Sequence, residues 1–133
     1  VREYIAWQDD FSVGVRVIDE QHKMLLLVIN TFLSSLEDRE DRFAIGRSLD
    51  EMIRYTEYHF YTEQLLLEKH PDFLDHLNQH WQLVKQARKI QNDFEQYREL
   101  KADIFDFLIG WLKNHILGTD KAFFSYLSKN NLL

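Results

Sequence analysis

Apolar residues recur at spacings of three and four along most of the chain, the period of a helix face and not the alternation of a strand. Ile18, His22, Leu25, Leu26, Ile29, Leu33 and Leu36 form one stripe, which predicts a first helix over about Asp19 to Glu37 with Asp19 as its N-cap. The charged hexapeptide Glu37 to Arg42 interrupts the pattern and reads as a wet loop between antiparallel helices. A second helix of about Asp41 to Glu68 carries Leu49, Met52, Ile53, Thr56, His59, Phe60, Glu63, Leu66 and Leu67 on its inner face and stops before Pro71. A third starts near Asp72, turns Phe73, His76, Leu77, His80, Trp81, Val84 and Ala87 inward, and ends within Gln91 to Tyr97. A fourth spans about Arg98 to Leu117 through Ile104, Leu108, Trp111, Leu112 and His115. Gly118 has the position of a residue just past a helix end and Thr119 that of an N-cap, so a short last helix is expected from Asp120, bearing Phe123, Phe124 and Leu127. The first seventeen residues lack a helical period and are expected to lie as an arm anchored by Trp7 and Phe11. The pattern thus predicts an all-α protein, an up-down-up-down antiparallel four-helix bundle with an N-terminal arm and a short C-terminal helix, as one domain over residues 1–133.

Composition supports this reading and removes several functions. Four Gly and one Pro leave few places for a sheet to turn, and hydrophobic residues at 45% of 133 suffice for one core. The net charge of −6 argues against a nucleic-acid partner, which needs a clustered positive field. The absence of cysteine excludes disulfides, thiolate metal sites and a cysteine nucleophile, and fits a reducing, cytoplasmic setting. The longest apolar run, Met24 to Ile29, is far short of the roughly 20 residues that span a membrane, so a soluble chain with neither membrane partner nor signal peptide is expected.

The histidines change the picture most. His22, His59, His76, His80 and His115 fall on the apolar stripes of four different helices, together with one carboxylate, Glu63. Burying an unpaired carboxylate costs several kcal/mol, and no Lys or Arg on those stripes offsets it, which leaves a cation. Residues four apart differ by about 40° in azimuth, so His59 with Glu63 and His76 with His80 each aim two donors at one point. His115 and Asp120, five apart, would diverge by about 140° on one continuous helix, an objection that a break at Gly118-Thr119 removes. Imidazole with carboxylate suits Fe, Zn, Mn or Ni, and seven donors are too many for one ion, so two metals bridged by carboxylates fit the count. A single inward histidine is ordinarily a hydrogen-bonded core residue, but seven donors in register are not. His70, beside Pro71, lies outside the pattern and reads as a solvated loop residue. No Glu-x-x-His pair of the ferritin-like di-iron proteins occurs, no His-Glu-x-x-His zinc motif occurs, and no catalytic residue is assigned.

At these positions the sequence resembles the hemerythrin family over almost its whole length. The pieces are Trp7 with Ser12-Val13-Gly14-Val15, Ile18-Asp19-Glu20-Gln21-His22-Lys23, Tyr55-Thr56 with His59-Phe60 and Glu63, then His76 and His80. Trp111-Leu112-Lys113-Asn114-His115-Ile116 and Asp120-Lys121 ahead of Phe124 and Tyr126-Leu127 complete the match. The resemblance implies a four-helix bundle with two non-haem iron ions, joined by an oxo or hydroxo bridge, that binds dioxygen reversibly. His76, His80 and His115 would hold one iron and His22 and His59 the other, with Glu63 and Asp120 bridging both and an open position for dioxygen on the second. It also implies that Leu112, with Ile116, walls the oxygen pocket, and that small anions such as azide occupy the open position in the oxidised form. Five imidazoles against two carboxylates leave the pair less electron-rich than a carboxylate-dominated oxidase site, which favours holding dioxygen over cleaving it.

The leading expectation is a non-enzymatic oxygen binder of the bacterial type, for carriage, storage or delivery to an oxygen-consuming enzyme. The alternatives are an oxygen-sensing domain of a larger signalling protein, and a di-iron enzyme or iron store.

Overall fold

The computed structural model describes residues 2–97 and 99–133, and among these every regular element is helical. After a single 3-10 turn in the arm, Asp9–Phe11, come four helices: α1 (Arg16–Ser35), α2 (Arg42–Leu67), α3 (Phe73–Tyr97) and α4 (Ile104–Lys113). A π-helical turn, Asn114–Asp120, carries α4 directly into α5 (Lys121–Lys129). Side-chain pairs at opposite ends of each interface fix the directions. Gln21 meets Thr62 and Ser48 meets Ser35, so α1 and α2 are antiparallel. His76 meets Glu63 and Gln91 meets Asp50, so α2 and α3 are antiparallel too. Thr119, just past the end of α4, meets Gln79, while Ile104 and Phe107 at its start share a cavity with Ile90 and Asp93, so α4 runs antiparallel to α3 and the expected up-down bundle is present.

Helix starts follow the local chemistry, and two differ from expectation. Asp41, at the expected start of α2, is its N-cap, accepting a hydrogen bond from Ala44 N–H at 3.1 Å. Asp19 does not cap α1, which starts at Arg16, one turn earlier. Its carboxylate instead binds the arm, accepting from Val13 N–H at 2.8 Å and from the Ser12 hydroxyl at 2.5 Å. Gly14, at φ +79°, makes the turn between the arm and α1 that an L side chain resists. The fourth helix starts at Ile104; of the earlier stretch, Arg98 lies outside the described residues and 99–103 are non-helical. Those five residues offer only Leu100 to the core, too little apolar surface to hold a helical turn in place.

The arm is anchored as its aromatics suggest, though its main tether is polar. Phe11 is buried and stands edge-on to the half-buried Trp7. The buried amide of Asn30 on α1 accepts from Tyr4 N–H at 2.8 Å and Ile5 N–H at 3.1 Å, and donates to Ile5 C=O at 2.8 Å. One side chain thus satisfies three backbone groups of a segment with no ladder of its own.

Among the described residues, two apolar clusters make the core. The larger includes Leu25, Leu26, Ile29, Ile53, Leu108, Leu112 and Ile116, and the smaller is Ile18, Leu67, Phe124 and Leu127. On α1, α2 and the last helix, the expected metal ligands sit between residues of the first cluster and residues of the second. The polar site is a layer between two dry ones. One expected core residue falls outside: Trp81 is 59% exposed, because it lies about 100° beyond His80 on α3, while Leu83 takes the inward position.

Candidate metal centre

Each helix contributes to the polar layer at a position its apolar stripe dictates. His22 comes from α1, His59 and Glu63 from successive turns of α2, His76 and His80 from successive turns of α3, and His115 and Asp120 from the two ends of the π-helical turn. All seven are buried. The π turn replaces the expected break at Gly118-Thr119. Lys113 and Lys121 on either side have ordinary helical dihedrals, and among the described glycines only Gly14 has positive φ. A hydrogen-bonding period of i to i+5 stacks residues five apart, so it brings His115 and Asp120 onto one face without interrupting the helix. The Thr119 hydroxyl caps nothing and donates to Gln79 Oε1 on α3 at 3.2 Å.

The donor atoms converge on a small volume. Glu63 Oε1 lies 2.6 Å from His59 Nε2 and 3.2 Å from His22 Nε2, and Glu63 Oε2 lies 3.0 Å from His80 Nε2 and 3.1 Å from His76 Nε2. Asp120 Oδ2 lies 2.9 Å from His22 Nε2 and 3.0 Å from His115 Nε2, with Oδ1 3.2 Å from His76 Nε2. Two groups of mutually close donors result: Glu63, His76, His80, His115 and Asp120, and His22, His59, Glu63 and Asp120. Each group could hold a cation, and Glu63 and Asp120 belong to both. His70 belongs to neither. It is only half-buried, stacks on Phe123 with ring centroids 4.0 Å apart, and accepts a hydrogen bond from Asp72 N–H.

Charge and hydrogen bonding show what the cluster lacks. Burial would raise the Glu63 carboxyl, yet the imidazoles around it, His59 and His115 foremost, hold it well below the usual range. Burial would lower His22 and His115, but Asp120 and Glu63 outweigh it, raising His22 to about 9 and His115 to about 10. For His76, burial and the neighbouring His80 win and take it to about 4, and burial lowers His80 as well. Without a cation, then, protonated imidazoles must supply the charge that offsets the buried carboxylates. Even so, both Asp120 oxygens and the Nε2 atoms of His59 and His115 make no hydrogen bond. Lone pairs facing each other across 2.6–3.5 Å in a dry interior need positive charge between them. The spacing also suits cations: ligands about 2.1 Å from a six-coordinate ion are about 3.0 Å from one another.

Aromatic rings brace the three-histidine group. Phe60 stacks on His80 with centroids 3.6 Å apart and planes within 3°, Trp111 stacks on His115 at 4.5 Å, and Phe123 stands edge-on to His76 at 4.6 Å. The two-histidine group is braced instead by Gln21, whose Oε1 lies 2.8 Å from His59 Nδ1. Sequence reasoning passed over Gln21 because it sits beside the stripe of α1; its one signal is a neutral amide among Asp19, Glu20 and Lys23. Leu112 and Ile116, the expected pocket wall, are both buried and flank His115 in sequence. A separate apolar cavity of about 30 Å³ is lined by Leu25, Ile53, Thr56, Leu108 and Trp111 among others, and neither Leu112 nor Ile116 lines it.

Fold and site together define a class, a four-helix bundle whose interior is a cage for paired cations. Comparison with known proteins gives the same class a name. Residues 13–127 match the Hemerythrin HHE cation binding domain, and the chain belongs to the hemerythrin family. It is 31% identical over 121 residues to a bacteriohemerythrin of Stenotrophomonas maltophilia, covering 90% of this chain and 78% of that one. It is 32% identical over 122 residues to a bacteriohemerythrin of Methylococcus capsulatus, covering 90% and 92%. The crystal structure of a wild-type hemerythrin superposes with a TM-score of 0.86 at 30% identity, over 94% of this chain and 98% of that one. Hemerythrins are oxygen-binding proteins with a di-iron centre, and the cage described here is that of such a protein. No described helix is long and apolar enough to cross a membrane.

Proposed function

We propose that this chain binds dioxygen reversibly, without turning it over, at two irons held as the sequence suggests: His76, His80 and His115 on one, His22 and His59 on the other, and Glu63 and Asp120 on both. The observation that carries this reading is the division of seven buried donors into two groups that share both carboxylates. When bound, the iron pair supplies the electrons that hold dioxygen reversibly. The protein supplies the rest. Glu63 and Asp120 spread two negative charges over two cations, and the five imidazoles add none when neutral. That leaves one group an imidazole short, with His22 and His59 against three histidines, and an ion held there would be the one to take dioxygen, or azide in the oxidised form.

The two apolar clusters on either side support a binding role, since a dry site keeps out the water and anions that would displace the ligand. Leu112 and Ile116, beside His115, are the residues we assign to that wall. A centre that works only when reduced is best served in a reducing compartment, so the reading includes the cytoplasm and delivery to an oxygen-consuming enzyme there. The test is an optical spectrum of the iron-loaded protein through reduction, aeration and oxygen removal. A coloured form that appears and disappears over several cycles is expected. Irreversible oxidation on the first aeration, or steady consumption of reductant under air, would move the assignment to an enzyme.

One contact favours a sensing role as a second reading. Lys121, next to Asp120, donates from its ammonium to Asp10 C=O of the arm at 2.7 Å, so a shift at Asp120 has a direct route to the arm. Limited proteolysis of the arm in the oxygen-bound and oxygen-free forms decides this: different cleavage rates support it, and equal rates leave simple binding.

A further inference from the structure

Gln21 is the one residue among those described whose side chain meets the outer nitrogen of a histidine in the cluster. The Nδ1 atoms of His22, His76 and His80 make no hydrogen bond, and the rings on the three-histidine side are held by aromatic contacts, two stacked and one edge-on. The hydrogen-bond directions around Gln21 are not free to vary. The carbonyl of Tyr58 can only accept, so the Thr62 hydroxyl, 3.3 Å away, donates to it. With its proton committed, Thr62 Oγ1 accepts from the group 3.1 Å away on Gln21, which must be the amide Nε2. The amide oxygen then faces His59, and at 2.8 Å it can only accept, so His59 Nδ1 carries a proton. A neutral imidazole protonated at Nδ1 has its lone pair on Nε2, the atom that points at Glu63 from 2.6 Å.

The geometry points to Gln21 as the positioning residue of the two-histidine half, fixing the tautomer and aim of His59 through a relay that begins at the Tyr58 carbonyl. The inference rests on the reading of His59 as a ligand, and it deepens that reading. It makes the two halves unequal in how they fail: the three-histidine half keeps its ligands by packing, whereas the two-histidine half depends on one amide. A neutral acceptor also leaves His59 a weaker donor than a carboxylate partner would make it. With two imidazoles against three, and the aim of one of them set by a single amide, the half proposed to take dioxygen is the half whose iron is more easily released.

The first test needs no variant and no iron. Long-range ¹H–¹⁵N NMR of imidazole nitrogens in the metal-free wild-type protein should show His59 Nδ1 protonated; an unprotonated Nδ1 overturns the relay. The second test counts iron per chain after challenge with a chelator. Gln21→Met keeps the volume and removes the acceptor, so it should hold its second iron about 10- to 100-fold more weakly and fall toward one iron per chain. Gln21→Glu restores an acceptor and should keep two. Gln21→Met that retains both irons like the wild type, or Gln21→Glu that loses one like Gln21→Met, refutes the positioning role. A wild type that takes up fewer than two irons is a different failure, that of the ligand reading, and the imidazole spectrum still decides the tautomer.

Discussion

Two residues show how much burial alone decides in this protein. Leu112, fully buried three positions before His115, has a packing role on any account, and truncating it should cost about 2–5 kcal/mol. A role in keeping the site dry adds a separate effect. Leu112→Ser should therefore lower the melting temperature and also speed autoxidation of the oxygenated protein, measured well below that temperature; unchanged autoxidation would reduce Leu112 to core packing. Asn30 gives the opposite case, a buried polar residue whose value is entirely in its bonds to Tyr4 and Ile5. Asn30→Leu should strand up to three backbone groups at about 1–3 kcal/mol each unless the arm detaches, and arm amides that exchange as slowly as in the wild type would contradict the tether. The sequence was least legible at this scale. The donors stood out because charge and imidazole are anomalous on an apolar stripe, but Asn30 and Gln21 are neutral and lie at the stripe's edge, where polar residues are ordinary.

Among the elements, the last helix is where periodicity misled. The stripes of α1 to α3 gave those helices within a few residues, since amphipathic spacing is strong over twenty or more positions. At Gly118-Thr119 the same reasoning chose a break, because a glycine followed by a threonine is ordinary end-and-start chemistry and an α-helix cannot align residues five apart. The chain solves the alignment with a π turn that no local residue signals. The two solutions differ in what alanine would do. Gly118 has helical dihedrals and open space where a Cβ would stand, so Gly118→Ala should stabilise by about 0.5–1 kcal/mol. Gly14→Ala, at φ +79°, also has open space but should destabilise by about 1–2 kcal/mol. Denaturant melts of the two variants check this, and a Gly118→Ala protein weakened as much as Gly14→Ala would restore the break.

For the whole molecule, the polar layer between two apolar clusters links folding to metal. The unfolded chain has no cage, so a cation that binds only the folded state adds about 4 kcal/mol of stability at a thousandfold excess over its dissociation constant. In a chain of 133 residues that is on the order of 10 °C or more in melting temperature. Iron-loaded and metal-free protein should differ by that much, and coincident melts would mean that no cation sits between the clusters. The pairing itself, seven donors shared between two ions through Glu63 and Asp120, is read from iron per folded chain, by elemental analysis after reconstitution and removal of loosely bound metal. Two irons are expected in the wild type, with loss of the pair in Glu63→Ala; one iron per wild-type chain would refute the shared cage.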